Sequence, residues 1–203
     1  MNKKLMILTA AAMMMLTAQA QIKPIPVNYS GQRPTIVDFV QAIVDQDNDE
    51  DDYNEHLANL HTEWHRLQKG EKTYGSFTID AQNGFVVYER TDDNYKSTTQ
   101  FCYWNCADKK HKLVAVADND YEDDVAINGQ FSGLVFYLYD NLTRRLNFVN
   151  TYDMGIDISE FPGDREFTLP RQGKDIRLRV IHPEDGTHEV LFKWNGEKFK
   201  EQR

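Results

Sequence analysis

From Tyr74 to the C-terminus the sequence shows strand-like periodicity and no segment with the length and period of a crossover helix. Apolar residues there recur at every second position, in short runs bounded by turn signals. Asn83-Gly84, Asp185-Gly186 and Asn195-Gly196 are pairs that accept the positive φ of a tight hairpin, and Asp140-Asn141 is a further turn pair. A parallel pair of strands needs a connection of a dozen or more residues. Short turns therefore predict an antiparallel meander over residues 74–200, one large sheet that can curl into a barrel or a sandwich. Residues 91–94, 118–124 and 153–164 read as loops, the second of them strongly acidic.

Residues 98–116 sit near the middle of that sheet. Phe101, Tyr103 and Trp104 suit a pleated, half-buried strand. Residues 107–112 are a polar turn, and Leu113, Val114 and Val116 begin a second apolar run. Both cysteines lie here. Cys102 and Cys106 are four apart, which places them about 13 Å apart in a straight strand at ~3.3 Å per residue. A disulfide tolerates Cα separations up to about 7 Å. A local bridge therefore requires a bend at Trp104-Asn105; without one they are two packed thiols.

The period differs before Tyr74. Thr35 and Asp38 are placed to open a helix, and Ile36, Phe39, Val40, Ile43 and Val44 repeat at three and four. A dense acidic run follows over residues 45–52. Tyr53, Leu57, Leu60, Trp64 and Leu67 then resume the helical period, and Lys69-Gly70 closes it. Like charge opposes a continuous helix, so residues 34–69 read as two helices packed on the sheet. Residues 21–33, with Pro24 and Pro26, read as an extended leader pinned by Ile22, Ile25 and Val27.

The first twenty residues read as a secretory signal peptide. Lys3 and Lys4 precede an apolar run over residues 5–16, and Ala18-Gln19-Ala20 is a small-x-small cleavage site. The run is shorter than the roughly 20 residues a membrane span needs, and no other run in the chain reaches that length. Cleavage after Ala20 would leave 183 of 203 residues, enough for one α+β domain over 34–203. It removes two lysines and no acid, which moves the formal charge from −9 to −11. Such a chain repels nucleic acid and anionic membrane surfaces.

Phe101-Cys-Tyr-Trp-Asn-Cys106, Gly133-Leu-Val-Phe-Tyr-Leu-Tyr-Asp-Asn141 and the closing Trp194-Asn-Gly-Glu-Lys-Phe199, with the signal peptide and short helical region, resemble uncharacterised exported proteins of Gram-negative gut bacteria. The resemblance covers most of the mature chain. It implies a periplasmic or secreted location and no particular activity.

Chemistry-bearing patterns are sparse. His61 and His65, four apart on a helix, invite comparison with the zinc-protease motif, but Glu63 stands one place late and no third ligand is fixed by sequence. They read as boundary residues of an amphipathic helix. The acidic runs at 45–52 and 118–124 lack the Gly and Glu of a calcium-binding helix-loop-helix, at positions six and twelve. They read as solvated charge, with a calcium loop of another type at 118–124 as the alternative, and no metal or cofactor is expected. Ser132 lacks the spacing of a hydrolase nucleophile, and Cys102 or Cys106 with His111 lacks evident activation of the thiol.

The aromatic faces are the stronger lead. Leu134, Phe136 and Leu138 share one face of a strand, while Val135, Tyr137 and Tyr139 share the other. Either helices cover the tyrosine face, or Tyr103, Trp104, Tyr137 and Tyr139 offer a surface that stacks on sugars or a partner chain. The expected function is a non-enzymatic binding protein with a protein or glycan partner. The alternative is a hydrolase of envelope or dietary polymers that works with two carboxylates.

Overall fold

The computed structural model describes residues 23–46, 54–129, 132–182, 184 and 186–202, with side chains of the second helix from Ala58 onward. Residues 1–20, read above as a signal peptide, Ile22, residues 47–52 of the acidic run and Asp185 lie outside them. Strand β1 (Ile25–Pro26) comes first, then helices α1 (Ile36–Val44) and α2 (Asn54–Gln68). The strands that follow are β2 (Ser76–Asp80), β3 (Phe85–Asp92), β4 (Tyr95–Asn105), β5 (His111–Glu122), β6 (Val125–Ile127), β7 (Gly133–Asp140) and β8 (Arg145–Val149). A 3-10 turn η1 (Ile158–Glu160) leads to β9 (Asp164–Thr168), β10 (Ile176–His182), β11 (Gly186–Trp194) and β12 (Phe199–Gln202).

The strands form two antiparallel sheets rather than one. The first has the order β1-β8-β7-β5-β4-β3-β2, with β6 paired to β5; the second is β12-β11-β10-β9. The first curls into a half-barrel. Each sheet is an up-and-down meander, except that β1 reaches the far edge of the first sheet. The leader is thus partly sheet: Ile25 pairs with Leu146, and Pro26 occupies an edge where its missing N–H costs no ladder bond. Because β1 precedes the helices, the chain enters the fold through the sheet.

Alternation along the central strands explains the layering. Val114 and Val116 of β5 share a buried cluster with Phe39, Val40, Ile43, Leu60 and Trp64 of the helices. Their neighbours Leu113, Ala115 and Ala117 share another with Phe167, Leu178, Val180 and Phe192 of the second sheet. The same split runs through β4, where Phe101 joins the helices and Cys102 the second sheet. In β7 it separates Tyr137 and Tyr139 from Leu134 and Phe136. The central strands of the first sheet are therefore buried on both faces, which is why they carry apolar residues at consecutive positions.

Local chemistry sets the helix ends. The backbone N–H and hydroxyl of Thr35 both donate to the Asp38 carboxylate at 2.7 Å, tying down the start of α1. Gly70, at φ +69°, stops α2 in the left-handed conformation.

Residues 118–124 are not a loop. Asp118, Asn119 and Asp120 continue β5, paired with Thr99, Thr98 and Ser97 of β4. Only Asp123-Asp124 turns, both at positive φ, as a two-residue hairpin requires. Composition hid the alternation: Asn119 is buried and bonds both ways to the Phe167 backbone, donating to its O at 3.0 Å and accepting from its N–H at 2.7 Å. Asp120, also buried, accepts from the Tyr95 hydroxyl at 2.5 Å and from Ser132 Oγ at 2.9 Å.

Candidate functional site

Three of the four aromatic candidates are core. Tyr139 is fully buried, Tyr137 is 7% and Trp104 5% exposed. Phe39 of α1 wedges between Tyr103 and Tyr139, with ring centroids 5.5 and 5.0 Å away. Trp104 faces the second sheet and donates to the Lys174 carbonyl at 2.9 Å. Tyr103 is half-buried, packed on the helix-side core with the Lys112 ammonium 4.6 Å from its ring centre. These residues hold layers together and form no open stacking platform.

The two thiols are unbridged, and β4 continues as strand through Cys102 and Trp104 to Asn105. Burial pushes the Cys102 thiol well above its ordinary pKa. Cys106 is pushed up to about 11 by burial and by the Asp108 carboxylate. Neither is an activated nucleophile.

The histidine pair gains a partner that the sequence did not fix. Asp45, at the C-terminal end of α1, turns towards α2, where positions four apart lie on one face. Asp45 Oδ1 lies 2.9 Å from His65 Nε2 and 3.4 Å from His61 Nε2. The two imidazole centroids are 4.3 Å apart, their planes inclined at 63°. One ligating atom from each of the three residues falls within 4.8 Å of the other two. Asp45 is also held from behind. Gln41 Nε2 donates to Asp45 Oδ2 at 2.5 Å, while Gln41 Oε1 accepts from the buried Trp64 indole at 2.9 Å and from Gln68 Nε2. A pair of boundary histidines is an incomplete description. Asp45 stands sixteen residues before His61, inside an acidic run, so only the pairing of the helices singles it out.

A second feature lies where the connection from β8 to β9 meets the second sheet. It is an open pocket of about 450 Å³. Phe161 and Phe192, edge to face at 5.8 Å, are its buried aromatic lining. Tyr152, 69% exposed, stands at its mouth with Asp153, Asp157, Glu160, Glu201 and Lys198. Asp157 caps η1 by accepting from Ser159 N–H at 3.0 Å. Gly155 lets the loop approach β12: at φ +84°, a Cβ there would lie 2.3 Å from the Phe199 carbonyl. The acids of residues 153–164 signalled this pocket weakly, since acids are frequent throughout the chain.

Comparison with known proteins gave no match: no family model, curated protein or solved structure is detectably similar to this chain. Among the described residues no helix is long and apolar enough to cross a membrane.

Proposed function

We propose that the chain is an exported, non-enzymatic binding protein whose ligand is a glycan or a segment of another protein, met in the periplasm or outside the cell. The pocket beside Tyr152 is the observation that supports this reading. Its volume, about 450 Å³, suits a small ligand or one or two residues of a polymer. A sugar ring would stack on the exposed tyrosine, and its hydroxyls would donate to the surrounding carboxylates. A basic side chain of a protein partner would find the same acids. Export is supported by the charged, apolar and small-residue order of residues 1–20.

The same four carboxylates favour one alternative, hydrolysis of a polymer with one acid as proton donor and another as base or nucleophile.

A thermal-shift screen of the full chain against peptidoglycan fragments, a glycan panel and basic peptides tests both. A ligand at 100 times its dissociation constant adds about 2.7 kcal/mol, roughly 5–10 °C for a domain of this size. Tyr152→Ala is expected to abolish the shift without moving the unliganded melting temperature. No shift with any of these ligands would overturn the pocket reading. Release of reducing ends from a glycan, lost in Glu160→Gln or Glu201→Gln, would move the protein to the hydrolases.

A further inference from the structure

We propose that Asp45, His61 and His65 bind one borderline divalent transition-metal ion, with zinc as the representative case. The donor chemistry selects the class. Two imidazoles with one carboxylate suit zinc, copper or nickel, whereas calcium and magnesium take oxygen donors.

The geometry is close to what such an ion needs. Bonds of about 2.0–2.1 Å in a tetrahedron put neighbouring donor atoms about 3.3 Å apart. Asp45 Oδ1 already stands 2.9 Å from His65 Nε2 and 3.4 Å from His61 Nε2. All three donors fall within 4.8 Å of one another, so an ion would be reached by small side-chain rotations. The one-turn spacing on α2 makes both rings converge on a single carboxylate oxygen.

An ordinary surface ion pair lacks the support found here. Gln41 takes up Asp45 Oδ2, leaving Oδ1 for the histidines. The indole of Trp64, 1% exposed, fixes Gln41 in turn. Outer hydrogen bonds of this kind orient a metal-binding carboxylate and are reflected in affinity. The ligands themselves remain accessible, with side chains 34–43% exposed. Three protein donors leave a coordination position for water or for a group brought by another molecule. The site draws nothing from the Tyr152 pocket and stands whether or not that pocket binds a ligand.

The test is equilibrium dialysis of zinc into the full chain after exhaustive treatment with chelator. One ion per chain is expected, with saturation. His61→Ala and His65→Ala should each abolish saturable binding, and Gln41→Ala should weaken it about 10–100-fold with all three ligands intact. His111→Ala, at the β4–β5 turn, should leave binding unchanged. Cobalt substitution should give visible absorption bands that disappear in the His61→Ala chain. Melting temperatures in chelator should match for the unaltered, His61→Ala and His65→Ala chains, since these two side chains are 43% and 34% exposed. Gln41→Ala also removes the acceptor of the buried Trp64 indole and should melt lower. Absence of saturable binding, a stoichiometry that survives His61→Ala or His65→Ala, or displacement of zinc by equimolar calcium would overturn the proposal.

Discussion

Asp45 and His65 stand twenty residues apart in sequence and meet at 2.9 Å, one at the end of α1 and the other on the last turns of α2. Their contact depends on how α1 lies against the sheet, and Phe39 fixes that. Phe39→Ala removes a fully buried ring wedged between Tyr103 and Tyr139. The expected loss is about 3–5 kcal/mol, read from urea unfolding midpoints. Phe39→Leu should cost clearly less. Equal losses for both would mean the aromatic contacts contribute little.

Acid should weaken the fold through Asp80. Its carboxylate is held down at about 2 by hydrogen bonds from the Asn83 side chain, from Arg171 and from the Asn83 backbone. The folded value lies below the unfolded one, so the contribution is complete above about pH 4. It is lost as pH falls through about 2. Asp80→Asn should flatten that part of the stability–pH curve, followed by urea midpoints between pH 5 and pH 2. An unchanged curve would remove Asp80 from the account.

Gly155 joins the pocket loop to β12. Its positive φ and the nearness of the Phe199 carbonyl leave no room for a methyl group. The Met154 carbonyl accepts from Phe199 N–H at 2.8 Å in the same place. Gly155→Ala should destabilise by about 1–3 kcal/mol and weaken any ligand that Tyr152 holds. Gly173→Ala is the comparison, since it shares the positive φ but has open space where a Cβ would stand.

Alkylation should distinguish the thiols. Under denaturing conditions without reductant, intact mass should show two labels per chain, because the cysteines are unbridged. In the native protein at neutral pH both should react slowly, Cys102 the slower, since burial disfavours each thiolate. A missing pair of labels in denaturant would establish a disulfide.

Local signals were legible. Thr35 and Asp38 opened α1, and the helical period of residues 36–44 became its buried stripe. Asn83-Gly84 turned between β2 and β3, with Gly84 at φ +69°. The division into two sheets was not legible, because strands of both carry the same alternation and nothing local says which edge stays open. Polar composition concealed the end of β5, where Asn119 and Asp120 are buried in hydrogen-bonded partnerships. For Tyr137 and Tyr139 the sequence offered cover or exposure, and the decision lay in Phe39, about a hundred residues earlier. The Asp45 cluster and the Tyr152 pocket both assemble from separate segments, which no spacing rule along one segment can reveal.

Strand β5 is a party wall. Val114 and Val116 line one room, Leu113, Ala115 and Ala117 the other, so a slip by one residue would press valines into places fitted to alanine and leave alanines beneath the helices. Damage on either side is felt on both. The helical hairpin and the C-terminal sheet should therefore melt together, and a chain cut after β8 would bare Leu134 and Phe136 to water.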